Sequence, residues 1–293
     1  MTAKLLNFTV RWGLLGATLL FLGKTLVTNW HQVRQLHFHS ETWIHAGVAL
    51  TIAVSAQLWW AQVWGWILKV LKYPVPKRWS IVVFLKNSIR KYLPGNVWDM
   101  YGRVRAAQQR GIALESATLS VILEPIFVIA GALSLAVLGD SSPGLKALIL
   151  GLILLAIHPN VLNWIWKWGS QLRGKNSSSV LMQYYPVQVL MGAGLFVGLR
   201  SLTFLLVVSA FTPLDQSTYR PVVGGFGLAW FIGLISPVPS GLGVFEVTAL
   251  NALDDFLAPG LVLGAVALYR VIVIVADLIA ATLAYLINEG QEV

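Results

Sequence analysis

Apolar stretches long enough to cross a membrane recur along the whole chain, and two of them are broken by proline and glycine. The first break reads Ser88-Ile-Arg-Lys-Tyr-Leu-Pro94-Gly95-Asn-Val-Trp-Asp-Met-Tyr-Gly102-Arg103. The second reads Leu234-Ile-Ser-Pro237-Val-Pro239-Ser-Gly241-Leu-Gly243-Val-Phe-Glu246. Such breaks free backbone amides and carbonyls that lipid cannot satisfy, so they persist only where protein or a watery cavity covers them. A pair of them, one in each half of a membrane protein, is the best sequence pointer to a transport site.

Composition agrees. Hydrophobic residues make up 57% of the chain, charged residues 11%, and the mean hydropathy is +0.72. Soluble domains carry about 25% charged residues. The expected fold is an all-α polytopic integral membrane protein, a single transmembrane domain over residues 1–293 with no separate soluble domain. By the criterion of about 20 apolar residues, full spans fall at about 12–29, 43–68, 116–138, 146–166, 186–211 and 260–287. The broken segments, about 81–110 and 222–257, are each long enough for two half-helices that dip into the bilayer and return. The first span is short and is followed by Lys24. A cleaved signal peptide is the alternative there, but no clear small-residue cleavage site follows.

Basic residues orient this layout. Lys69, Lys72, Lys77 and Arg78 follow the second span; Lys86, Arg90, Lys91, Arg103, Arg105 and Arg110 flank the first break; Lys167, Arg173 and Lys175 follow the fourth span. The loops between hold only Arg34, Lys146 and Arg220. The alternation works if segment 81–110 enters and leaves on the cytoplasmic side, which places both termini inside and the second break outside. Two re-entrant hairpins would then approach the midplane from opposite sides, as an inverted repeat would have them. Residue-by-residue identity between the halves is not convincing. The expected location is a bacterial-type plasma or inner membrane. The net charge of +9 fits anionic lipid headgroups better than nucleic acid, because the cations lie between apolar spans.

After Pro94-Gly95 a half-helix should begin, with Asn96 as its N-cap, and stop at Gly111. Asp99 and Arg103 stand at i,i+4 and can pair. Amides at the start of that helix, with Arg90, Lys91 and Arg103 nearby, suit a phosphate headgroup. The alternative is a cytoplasmic amphipathic helix with a solvated basic face. In the second break, Gly241 and Gly243 precede Glu246, which either stabilises a helix N-terminus or pairs with a cation, an arginine or a proton. Glu124, Arg200, Arg270 and Asp277 are further charges at membrane depth. They either form structural ion pairs, such as Glu124 with Arg200 or Arg270, or line a polar interior. Pro125 after Glu124 offers a kink, as does His158-Pro159-Asn160.

Other features carry less. Without cysteine there are no disulfides, thiolate catalysis or cysteine-bound metal. His37 and His39 have only Glu41 nearby, so no metal site is expected. The clusters Trp59, Trp60, Trp64, Trp66 and Trp164, Trp166, Trp168 read as interfacial belts. Gly194-x-x-x-Gly198 and Gly260-x-x-x-Gly264 permit close helix packing, inside the monomer or across a homodimer seam. No nucleotide-binding, nucleophile-elbow or zinc-protease motif is present, and no cofactor is implied.

Lys91-Tyr-Leu-Pro-Gly-Asn-Val-Trp98 with Gly102-Arg103, and Pro239-Ser-Gly-Leu-Gly-Val-Phe-Glu246, resemble the transmembrane-domain family of lysylphosphatidylglycerol synthases. Leu268-Tyr-Arg270 and His158-Pro159 fit the same pattern, and the resemblance runs from about residue 10 to 288. It implies a lipid flippase rather than an enzyme, with Arg103, Glu246 and Arg270 as cavity residues and the glycines shaping two re-entrant loops. Fused members of the family move aminoacylated phosphatidylglycerol between leaflets. The soluble aminoacyl-transferase domain is not found in these residues, so the expected ligand is an anionic or aminoacylated phospholipid headgroup, with a separate lipid-modifying synthase as a candidate partner. The competing expectations are an integral-membrane enzyme on lipid-linked phosphate or sugar, using Glu124, Glu246 and Asp277, and an accessory or scaffold subunit of a polyprenyl-phosphate sugar pathway. Ion or proton transport through the same charges is a further one.

Overall fold

A computed structural model describes residues 40–92, 97–139, 143–171, 182, 184–236, 238 and 241–289. Several expectations fall outside them: the span at 12–29, Arg34, His37, His39, Pro94, Gly95, Asn96, Arg173, Lys175, Pro237 and Pro239. The described residues are helical, with no strand among them. In chain order the helices are α1 (Ser40–Val70), α2 (Lys77–Ser88), α3 (Trp98–Gln109), α4 (Leu114–Leu138), α5 (Pro143–Ala156), α6 (Pro159–Gln171), α7 (Val187–Ser209), α8 (Gln216–Ile235), α9 (Val244–Leu253) and α10 (Pro259–Glu289). A 3-10 turn, Ile89–Tyr92, follows α2.

Five of these, α1, α4, α7, α8 and α10, are long and apolar enough to cross a membrane. The chain is an all-α, multi-pass membrane protein. Four of the expected spans, 43–68, 116–138, 186–211 and 260–287, coincide with α1, α4, α7 and α10. The stretch 146–166 is not one straight helix: α5 and α6 meet at a 55° bend. Pro159 lacks the amide that would bond Leu155, and His158 N bonds Leu155 O instead. That leaves Leu154 O, which accepts from Tyr185 Oη at 2.9 Å. The His158 ring restarts α6 by accepting from Asn160 N at 3.2 Å.

The broken segments differ from each other. Around the first, α2 and α3 are each 12 residues, about 18 Å at 1.5 Å per residue and too short to cross. Val97, not Asn96, occupies the N-cap position of α3. The helix ends as expected: Gly111 has φ +83, and Gly111 N and Ile112 N bond Gln108 O and Ala107 O, a left-handed cap. Around the second break the arms are unequal. α8 starts at Gln216 and has spanning length, whereas α9 has 10 residues. The expected pair of half-helices at 222–257 is therefore one full helix and one short one.

The chain divides into two compact units, and α1, α4, α7 and α10 contribute to both. The first unit takes Met1–Ala53, Leu135–Ser141 and Val197–Val275; the second takes Val54–Ser134, Ser142–Phe196 and Ala276–Val293. In the first unit α8 and α9 form an antiparallel hairpin, Gly225 facing Leu253 and Gly233 facing Gly241 and Phe245. Phe204, Phe226, Phe245 and Tyr269 fill its interior with ring centroids 5.4–6.4 Å apart. In the second unit the C-terminal part of α1 lies on the N-terminal part of α7. Trp59 Nε1 donates to Gly192 O at 2.9 Å, and the Trp60 ring stacks on Phe196 at 4.7 Å. The close approach comes at Gly192, where a Cβ would meet Val63 at 2.8 Å. At Gly194 and Gly198 a Cβ would meet nothing within 4 Å, so the expected small-residue seam is not used inside the described chain.

Candidate functional site

Among the described residues three charge clusters stand out, one in the first unit and two in the second. In the second unit, α2 and α3 fold back on each other because Gly102 admits the Asn87 side chain. A Cβ there would overlap Asn87 Oδ1 and come within 2.6 Å of Arg90 Nη1. Asn87 is held by donating to Val83 O at 2.7 Å. This brings Arg103, one residue on and 2% exposed, against α4. Its guanidinium donates to Asp99 Oδ2 at 3.2 Å and to Glu124 Oε2. It lies 4.7 Å from the Phe84 ring centroid and 5.7 Å from that of Trp64. Trp60 Nε1 donates to Glu124 Oε1 at 2.7 Å, and Trp64 Nε1 to Ser120 Oγ at 3.3 Å.

One cation here faces two carboxylates. The formal excess is one negative charge, which is the opposite of a ready anion cradle. The expected i,i+4 pair of Asp99 and Arg103 is present, and the partner found for Glu124 is Arg103, while Arg270 pairs with Glu246. Nor are Trp60 and Trp64 a belt: both are buried and help to hold this cluster.

The second cluster sits on the turn after α2. Asp277 of α10 is fully buried. Its Oδ2 accepts from Lys91 Nζ and from Tyr92 Oη, each at 2.6 Å. Lys91 is thus engaged by a carboxylate rather than free for a phosphate, while Arg90 is exposed. Lys86 Nζ lies 4.7 Å over the Tyr285 ring, and Arg78 Nη2 donates to Ile287 O at 3.1 Å. Arg78 and Lys86 of α2 and Lys91 of the turn after it thus all engage the C-terminal part of α10.

The third cluster belongs to the first unit. Gly243 takes φ +81, a conformation that glycine adopts without strain. Its N–H donates to Glu246 Oε2 at 2.6 Å. Glu246 Oε1 accepts from Arg270 Nε at 3.0 Å, and Arg270 Nη2 lies 2.9 Å from the same oxygen as an ion-pair contact. The Arg270 guanidinium lies 5.2 Å over the Phe245 ring. Glu246 therefore fills both roles weighed for it, satisfying the start of α9 and neutralising an arginine. The pair is only partly covered, with the side chains 12% and 30% exposed. Gly241 has φ +60 and packs on Gly233.

Arg200 is buried on α7 in the first unit. Arg270 and Asp277 share α10 but fall to different units and different partners. Sequence reasoning missed Trp60, Trp64, Ser120, Tyr92, Phe84 and Asn87. One signal was present: Ala49, Ala53, Ala56, Trp60 and Trp64 recur at helical spacing on one face of α1. A belt needs no such stripe, and a packed face does. Set beside known proteins, the chain matches no family model and none of the curated proteins.

Proposed function

We propose that the chain is a membrane lipid translocase that moves a phosphate-bearing, phosphatidylglycerol-type or aminoacylated lipid between leaflets. The observation that carries this reading is the Glu246–Arg270 pair. It is an arginine–carboxylate couple, still partly open, at a glycine-shaped break inside an apolar, multi-pass protein. Ionisable groups at membrane depth are expensive and generally mark a substrate path. The likeness of both broken motifs to the lysylphosphatidylglycerol synthase transmembrane family points the same way.

The donors a phosphate would use here are the Arg270 guanidinium and the Gly243 amide, and Glu246 already occupies both. Binding is then an exchange: the headgroup phosphate takes the arginine, and Glu246 gives way and re-forms the pair when the lipid leaves. The acyl chains remain in the bilayer. The site lies in the plasma or inner membrane, both termini face the cytoplasm, and the short α2–α3 hairpin is re-entrant from the cytoplasmic side, as the alternation of basic loops suggests.

The test is translocation of headgroup-varied fluorescent lipids in proteoliposomes, followed with a membrane-impermeant quencher. Anionic, zwitterionic and lysylated phosphatidylglycerols and a polyprenyl phosphate are compared. The expected result is faster quenching than in empty vesicles, lost in Glu246→Gln and Arg270→Ala while folded protein stays at normal abundance. Normal transport in both variants sinks the site assignment, and no transport of any lipid sinks the translocase.

A further inference from the structure

α5 and α6 were expected to form one span, and their geometry suits a different arrangement. α6 sorts its side chains by angle. At 100° per residue, Asn160, Asn163, Lys167 and Gln171 fall in one arc of about 80°. Val161, Leu162, Trp164, Ile165, Trp166 and Trp168 occupy the rest of the circumference. Leu162 is buried against the protein. Asn163 is pinned to the backbone of Met182, donating to its carbonyl at 3.0 Å and accepting from its amide at 2.9 Å. Trp164 and Trp168 are 65% and 56% exposed and stack one turn apart, 6.4 Å between centroids at 8°. The helix thus has a protein face, an aromatic face and a polar face.

As the far half of a bent span, α6 would carry Asn160 and Asn163 into hydrocarbon, where polar side chains are costly. Laid in the interface, the same helix puts its tryptophans at headgroup level and its polar arc in water. The 55° bend supplies the change of direction, and its freed backbone groups are satisfied by Tyr185 and His158.

We infer that α6 is a membrane-interface helix docked on the lipid headgroup layer, with α5 as the lipid-facing apolar helix that leads into it. α5 has 14 residues, of which Ile153 is the buried one; its leucines at 145, 148, 150, 152, 154 and 155 are exposed. Between Lys146 and His158 the apolar run is about 17 Å long at 1.5 Å per residue, against a hydrocarbon core of about 30 Å. By the length criterion applied to α2 and α3, α5 by itself falls short of a full crossing. The inference needs only the membrane setting, not the transport reading.

The chain has no cysteine, so single cysteines report without background. Nitroxide labels at positions 160, 164, 165, 167, 168 and 171, in full-length protein in phosphatidylglycerol-containing proteoliposomes, are read by collision with oxygen and with a water-soluble nickel chelate. The oxygen-to-nickel ratio should peak at 164, 165 and 168, fall at 160, 167 and 171, and show one shallow depth for the three apolar sites. These positions are exposed, so the labels do not threaten folding. A depth that changes steadily from 160 to 171 means a bent span and overturns the inference. Protection from both reagents at 164 and 168 means that a protein, a second copy included, covers this face, and it overturns the inference equally.

Discussion

The Arg103 cluster makes an unequal prediction for its two ends. Arg103→Met removes the cation that pairs with both carboxylates and leaves Asp99 and Glu124, 16% and 12% exposed, beside the Phe84 and Trp64 rings. Breaking a buried pair in this way costs about 3–5 kcal/mol. Glu124→Gln is different. Arg103 keeps Asp99 at 3.2 Å, and the amide oxygen still accepts from Trp60 Nε1. One charge-assisted hydrogen bond weakens, a loss of up to about 1.5–3 kcal/mol, but the repulsion between two carboxylates goes with it. The net change should be about 0–1.5 kcal/mol. In the double variant a single carboxylate remains, so Glu124→Gln should partly rescue Arg103→Met by at least about 1 kcal/mol, a coupling within the range for contacting residues. Reversible unfolding in mixed micelles, followed by far-ultraviolet circular dichroism, measures all three. If Glu124→Gln is as damaging as Arg103→Met, or if the two effects simply add, the charge count assigned to this cluster is wrong.

Two glycine contacts give further predictions. Gly102→Ala should destabilise by about 1–3 kcal/mol, because its Cβ overlaps the buried Asn87 side chain; Asn87→Ala in the same protein should recover most of that loss in the unfolding assay. Gly241→Ala should be poorly tolerated, since φ is +60 and the Cβ would lie 2.9 Å from Gly233 Cα. Gly233→Ala meets only ordinary contacts, the nearest at 3.7 Å, and should be neutral or stabilising by up to about 1 kcal/mol. Equal melting temperatures for those two variants would contradict the packing described for α8 and α9.

Periodicity and length made most of the fold legible. α1, α4, α7 and α10 are long uninterrupted apolar runs, and nothing in their neighbourhood overrides that signal. The α2–α3 hairpin was legible because Pro94-Gly95 falls between two segments of equal length. The α8–α9 hairpin was misjudged for a local reason. Pro221 lies inside α8, in its second turn, and the helix runs through it, so the helix begins earlier than the break suggested and reaches spanning length. The bend at His158 was visible, but not its size. A proline states that a hydrogen bond is missing; the 55° depends on how Leu154 and Leu155 are satisfied.

Charge partners were the least legible part, and helix geometry explains it. Each residue turns the side chain by 100°, so the partner of Glu124 depends on the rotation of α4 relative to three neighbours. An error of one residue exchanges one partner for another. Pairs within a single turn escape this, which is why Asp99–Arg103 could be read directly. Glu246 with the Gly243 amide could be read for the same reason. Lys91–Asp277, 186 positions apart, could not. The consequence reaches the chemistry. Counted along the sequence, the basic residues around the first break offer a surplus of positive charge for a phosphate. Paired in space, Lys91 and Arg103 are already opposed by Asp277, Asp99 and Glu124. A headgroup that takes Lys91 or Arg103 must therefore compete with carboxylates, whereas Arg90, Arg105 and Arg110 are exposed; at the second break the partly exposed arginine is Arg270, paired with Glu246.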